Sequence, residues 1–255
     1  MFRKIVVGVD ANPNARDAVA LARQLAGPDS RLVLAHVHRA PSSEAQAHTE
    51  AGLPQRREAE GLLLRLSEES GIEDARAVRA ASVGQGLQDV LEHEYGDLLV
   101  LGSWNSAHAG RVAVRDELHG ALTGSVSAIA IAPAGYSHSD PVLRDIGVGF
   151  DGSDNSRVAL DAAHELAELH RASVSVCRAN PEDDTAAKLI ALSGSVGLLV
   201  VGSRGHGPQG RLIYGSTTLQ LAHGCRCPLL IVPRPREARS VRRTDTVITI
   251  PAPTR

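Results

Sequence analysis

Residues 202–216 read GSRGHGPQGRLIYGS and follow the apolar run LLVV. Two glycine spacings overlap there, and each would hold a different ligand. Gly205, Gly207 and Gly210 spell G-x-G-x-x-G, the turn that lets a Rossmann strand approach a pyrophosphate. That pattern fails in context. Pro208 interrupts it, RLIY follows Gly210 with no capping residue, and LLIVPR carries no acid where the ribose-binding carboxylate belongs. A P-loop fails as well, because Gly215 is followed by Ser216 and Thr217 with no lysine.

The longer spacing, G-x2-G-x9-G-S through Gly202, Gly205, Gly215 and Ser216, does fit a site. Gly202 and Gly205 stand just past the carboxyl end of a strand, where open α/β sheets bind ligands. Gly215, Ser216 and Thr217 have the form of a helix N-terminus running to about Gly224, whose free N–H groups and dipole attract phosphate oxygens. Glycine admits close backbone approach. Arg204 and Arg211 are within reach of the same phosphates. Asp151, at the end of a neighbouring strand, is placed to accept from a ribose hydroxyl or to help hold Mg²⁺. The bland reading of the loop is a turn and nothing more.

Other candidates are weaker. His36 and His38 share one face of a strand, but no Cys or carboxylate joins them, so a structural role is expected, as for His164 and His170. Cys177, Cys225 and Cys227 are odd in number and form no C-x-x-C pair, which points to reduced thiols in a cytosolic protein; Cys225 and Cys227 read as partly buried packing at a helix-to-strand turn.

The elements that must position the loop come in two copies. RKIVVGVDANPNARDAVALARQLA (3–26) matches RDIGVGFDGSDNSRVALDAAHELA (144–167), so Asp10 corresponds to Asp151. GRVAVRDELHGALTGSVSAIAIAP (110–133) matches GRLIYGSTTLQLAHGCRCPLLIVP (210–233). Each copy opens with a β-branched run ending at Asp, a polar turn and a helical apolar pattern, then RLVLAHV or ASVSVCR, and later DLLVLGS or GLLVVGS. Strands alternating with helices and reading as continuous apolar runs predict a doubly wound α/β fold with a parallel sheet. A Pro/Gly/Ser-rich stretch at 132–144 sets the boundary, giving domains 1–138 and 139–234.

Nearly sixty residues separate the second and Gly-Ser strands of the first copy, room for a helix at about 55–69, a strand at about 75–80 and a helix at about 84–95. About twenty do so in the second, room for one helix. Domain 2 is therefore expected to lack a helix and an edge strand. Arg234, Arg236, Arg239, Arg242 and Arg243 make a basic run into the tail 235–255, whose TVITI segment (246–250) alternates. We expect these residues to form a strand on an exposed sheet edge, in the place of the lost one; a flexible solvated tail is the alternative.

With 27 basic and 29 acidic residues the net charge is −2, so no global field draws nucleic acid or membrane. Two Phe, three Tyr and one Trp leave few platforms for stacking single strands. No run is long enough for a membrane span, and the opening MFRKIVVGVD is not a signal peptide.

The VGVD and VGFDGS openings, LLVVGSRG, the G-x2-G-x9-G-S loop and CPLLIVP together resemble the universal stress protein family in its tandem form, over the whole chain up to residue 234. The resemblance implies flavodoxin-like (adenine nucleotide alpha hydrolase-like) sheets of order 3-2-1-4-5. It also implies ATP held by Asp151, Gly202, Gly205, Gly215, Ser216 and Thr217, and an internal pseudo-dimer through AIAIA (128–132) and PLLIV (228–232), with a homodimer as a further expectation. In domain 1 Asn105 replaces Gly205 and Arg115-Asp116 replaces Gly215-Ser216, so that domain is expected to bind no ATP and to act as scaffold or regulatory half. Arg178 ends the second strand of domain 2, where the family's adenine contact lies. No triad order or general base accompanies the loop, which favours binding over catalysis. The reading is an ATP-binding stress-response regulator acting on an unidentified protein partner. A nucleotide-independent interaction module and a slow ATPase or nucleotide-transferring enzyme are the alternatives.

Overall fold

The computed structural model describes residues 2–39, 53–104, 108–113, 125–139, 142–179, 184–203, 216–233 and 247–250. The N-terminal half contributes β1 (Lys4–Gly8), α1 (Ala15–Leu25), β2 (Arg31–Arg39), α2 (Leu53–Ser70), β3 (Ala75–Ala80), α3 (Val83–Glu94), β4 (Leu98–Gly102) and β5 (Ala128–Ala132). The C-terminal half contributes β6 (Asp145–Phe150), α4 (Asp154–His170), β7 (Ser173–Arg178), α5 (Thr185–Leu192), β8 (Leu198–Gly202), α6 (Ser216–Gly224) and β9 (Leu229–Val232), followed by β10 (Val247–Ile250).

All ten strands join in one sheet of order β10-β3-β2-β1-β4-β5-β9-β8-β6-β7. The first half carries the 3-2-1-4-5 order that the resemblance implied, and its pairs are parallel, as in Ile5 opposite both Leu32 and Leu98. Parallel strands buried on both faces must be apolar throughout, and IVV, LLVL, AIAIA and LLVV are. Alternate residues go to opposite faces. Ile5, Val7, Leu98 and Val100 pack under α1 and α2, while Val6, Leu99 and Leu101 pack under α3. In the second half α4 covers the first face, and α5 and α6 the second. Burying a side chain such as Ile5 or Leu98, each fully enclosed, contributes about 2 kcal/mol.

The halves meet through β5 and β9, which pair antiparallel with Ile129 opposite Ile231 and Ala130 opposite Leu230. AIAIA and PLLIV thus lie side by side within one chain. Because the pairing is antiparallel, the strands of the two halves run in opposite directions, and their carboxyl ends open at opposite ends of the sheet. Beyond the strands, Val112 donates its N–H to the Cys225 carbonyl at 2.9 Å and is itself buried. The segment between the halves is fastened to α1. Asp17, 2% exposed, accepts from the N–H groups of Gly135 and Ser137 at 2.8 Å each and from the Ser137 hydroxyl at 2.7 Å.

Between β7 and β8 the described residues form one helix, α5, and β7 ends the sheet. Its residues are largely exposed, Val176 among them. The expectation that the tail strand takes the place of the lost edge is corrected by β10. This strand pairs antiparallel with β3, Val247 opposite Val78 and Ile250 opposite Ala75, at the other end of the sheet. The reason lies in cover. At β3 helix α3 extends over the added strand, whereas among the described residues β7 has no counterparts of α2 and α3 beside it, so a strand added there would bury little.

Candidate functional site

The Gly-Ser strand ends are built alike in both halves. A Cβ on Gly202 would lie 2.4 Å from the Asn155 carbonyl oxygen, and one on Gly102 would lie 2.2 Å from that of Asn14. These glycines let the sheet touch the first turn of α4 and α1. Asn155 then donates its side-chain amide to the Ser203 carbonyl, and Asn14 donates to the Ser103 carbonyl at 2.6 Å. Helix α4 is capped by Ser153, whose hydroxyl accepts from the Ser156 N–H at 3.2 Å. Asn14 makes no side-chain cap, its amide being engaged with Ser103.

Asp151 follows β6. Its carboxylate accepts from the Ser153 N–H at 3.0 Å and from the Ser153 hydroxyl at 2.5 Å. Partial burial would raise its pKa, but the hydrogen bonds from Ser153 outweigh that and hold it below the ordinary carboxylate value, so it is anionic near neutral pH. Asp151, Gly202 and Thr217 line one cavity of about 70 Å³ with Phe150, Ser153, Asn155, Ser156 and Thr218. Ser216 begins α6, as expected. Arg204, Gly205, Arg211 and Gly215 lie outside the described residues. Arg178 places its guanidinium 5.6 Å from the centroid of the ring of Phe150, which lines this cavity.

A larger cavity, about 270 Å³, opens at the corresponding place in the other half, lined by Asp10, Asn12, Asn14, Val37, Ser82, Leu87, Leu101, Gly102 and Trp104 among others. The half read as a scaffold therefore has the roomier pocket. The reason is α3, which walls it; Ser82, Val83, Gly84 and Leu87 all come from the start of α3, and among the described residues the second half has no such helix between β7 and α5. Asp10 accepts from Asn12 N–H at 3.0 Å and from the Asn12 side-chain amide at 2.6 Å. Asn105, Arg115 and Asp116 lie outside the described residues.

The asparagine latch, Ser153 and the first-half pocket were missed in the sequence. Asn14 and Asn155 occupy the same position of the repeat, which is the signal that would have found the latch. His36 turns Nδ1 to the Val9 carbonyl at 2.8 Å, and among the described residues no His, Cys, Asp and Glu group could hold a metal. Cys225 and Cys227 are free thiols and fully interior rather than partly buried. No described helix is long and apolar enough to cross a membrane.

The model of the universal stress protein family matches residues 1–131 and 180–233. No curated protein sequence matches the chain. A universal stress protein from Archaeoglobus fulgidus DSM 4304 superposes with a TM-score of 0.65 over 91% of this chain and 98% of its own, at 14% identity. A functionally unknown protein from Pseudomonas aeruginosa PAO1 does so with 0.61 over 91% and 92%, also at 14% identity. At that identity the likeness is one of fold. A universal stress protein solved in complex with cAMP aligns over 69% of this chain and 97% of its own, at 16% identity and a TM-score of 0.34.

Proposed function

With the chain a member of the universal stress protein family, we propose that it is a stress-response regulator that binds ATP, with Mg²⁺, in the half spanning 139–234 and signals through a protein partner. This reading divides the chain into 1–138, 139–234 and the tail 235–255. Asp151, Gly202, Arg204, Gly205, Gly215, Ser216 and Thr217 form its nucleotide site. The supporting observation is the convergence of Asp151, Gly202 and Thr217 on one cavity where β6 and β8 end and α6 begins. The residues present suit a nucleotide: hydroxyls and a helix start for phosphate oxygens, and an anionic carboxylate for a hydroxyl or a cation. The free thiols fit a reducing compartment such as the cytoplasm.

The cavity of about 70 Å³ is well below the few hundred Å³ of an ordinary ligand pocket. Base and ribose accordingly extend over its open side, and the affinity is modest. The same observation favours, as the second reading, a nucleotide-independent interaction module. Mg-ATP titrated into the full chain and into a Gly215→Arg variant separates the two. Binding by the wild type and its loss in the variant support the nucleotide reading; equal or absent binding leaves the interaction module. Metal-dependent turnover abolished by Asp151→Ala would instead make the protein a slow ATPase.

A further inference from the structure

The turn that leads from α6 into β9 reads Cys225-Arg226-Cys227, and the repeat places Ser125 and Ser127 at the same two positions of the other half. The serines show what that turn needs. Both are buried; the Ser125 hydroxyl oxygen accepts the Ser127 N–H at 3.2 Å, and the Ser127 hydroxyl donates to the Gly96 carbonyl at 2.7 Å. Hydroxyls thus satisfy the bend, and thiols, which are weaker donors and acceptors, add nothing to its hydrogen bonding. What sulfur adds is a reaction that a hydroxyl lacks, oxidation to a bond with a second sulfur.

The two thiols are placed for that reaction. Both are free, Cys225 fully buried and Cys227 5% exposed, and their sulfurs hydrogen-bond to each other. Two residues of extended chain span about 7 Å at most, so the bend at 226–227 brings the Cα atoms within the range a disulfide bridges, about 4.4–6.8 Å. The Ser193 hydroxyl, beside Cys225, accepts from the Arg226 N–H at 3.0 Å and donates to the Ile190 carbonyl at 2.7 Å, which ties the dithiol to the end of α5. Hydrogen bonds from the Cys227 thiol first, then from Ser193 and the Cys227 N–H, hold the Cys225 thiol below its ordinary pKa against the effect of burial. The same bond between the sulfurs, with burial, pushes the Cys227 thiol up. Cys225 is therefore the nucleophile, and Cys227 keeps its proton.

We propose that Cys225 and Cys227 form a redox site, which a hydroperoxide oxidises to an intrachain disulfide and small thiols reduce again. The Cys225 thiolate attacks one peroxide oxygen, the O–O bond breaks, and the hydroxide released takes up the proton that Cys225 gave, leaving a sulfenic acid and water. The Cys227 sulfur then attacks the Cys225 sulfur; the S–S bond forms, the S–O bond breaks, and the oxygen leaves as a second water with the Cys227 proton. The two sulfurs lose two electrons and the peroxide gains them. Arg226, between the cysteines, is exposed, so the bend lies at the surface and a peroxide little larger than water reaches the sulfurs when it opens locally. Cys177, the third thiol, stands on β7, three strands away from β9. The site shares no residue with the proposed nucleotide site and does not rest on it.

Thiol titration and intact mass read the test. Hydrogen peroxide added to the reduced full chain is expected to remove two of its three thiols, assayed after denaturation, and to lower the mass of the chain by two hydrogens, with no link between chains. Dithiothreitol should restore both thiols. Cys177→Ser should keep the response. Cys225→Ser should lose it, and Cys227→Ser should stop at a sulfenic acid that dimedone captures. Replacing both Cys225 and Cys227 with Ser copies the turn of the other half, so that variant should hold the wild-type unfolding midpoint while resisting oxidation, which separates lost chemistry from a lost fold. Retention of all three thiols under peroxide overturns the proposal. So does a loss of two hydrogens that persists in Cys227→Ser or disappears in Cys177→Ser.

Discussion

The side-chain amide of Asn14 reaches across to the carbonyl of Ser103 at 2.6 Å, and Asn155 does the same to Ser203, so each half locks the start of its first helix to the end of its Gly-Ser strand. These are the two elements between which each pocket opens. The latch sets the pocket's shape before any ligand arrives.

Replacing Asn14 or Asn155 with Ala removes the donor to a carbonyl at a helix–sheet contact. Each change should lower unfolding free energy by about 1–3 kcal/mol. Gly202→Ala acts on the same contact by collision, its Cβ falling 2.4 Å from the Asn155 oxygen, and should cost about 1–3 kcal/mol. Urea unfolding measures all three; midpoints matching the wild type would show that the latch carries no stability.

Asp17 is a buried carboxylate that the linker satisfies with two backbone N–H groups and a hydroxyl. Asp17→Ala strands those donors and should cost about 3 kcal/mol. Because the lost bonds hold Gly135 to Ser137 on α1, limited proteolysis should move to 133–144. Unchanged cleavage there would mean that Tyr136, buried and bonded to Gln24, is a sufficient anchor.

Glu94 joins Lys4 Nζ at 2.7 Å and Arg76 Nε at 2.6 Å with its side chain 7% exposed. Burial alone would raise its pKa, but the two cations outweigh it and hold the carboxyl below the ordinary 4.5. A depressed folded value gives stability that is present above the unfolded pKa and lost as pH falls through the folded one. Glu94→Gln should therefore destabilise by about 3 kcal/mol near neutrality, with the gap to wild type closing below about pH 4.5. A gap that is constant with pH would refute the assignment.

Strand β10 covers the edge of β3. Deleting 246–255 should expose that edge and speed amide exchange of the β3 backbone, with concentration-dependent association in sedimentation. Exchange at β3 equal to that of the full chain would show that β10 protects nothing.

The local physics of the chain was legible without coordinates. Apolar runs of strand length, Asp-ending turns and helical spacing mark the repeated elements, and the observed α2, β3 and α3 at 53–70, 75–80 and 83–94 fall where the longer insertion of the first copy has room for them. The start of α6 at Ser216 falls where Gly215-Ser216-Thr217 reads as a helix N-terminus. These features depend on neighbours a few residues away, which a sequence states outright.

Tertiary structure decided the rest. TVITI reads as a strand from its alternation, but whether it pairs with β7 or β3 depends on which edge has a helix to cover the addition. That is a property of packing around Ala77 and Val78, far along the chain from Val247 and Ile248, which lie opposite them. Pocket size likewise follows from walls rather than motifs. The copy with the intact glycine loop lacks, among the described residues, the helix that would enclose a ligand, and the copy with the altered loop has kept it. Gly202 shows both levels in one residue: its spacing suggested a phosphate, while the first reason for its missing side chain is the carbonyl of Asn155.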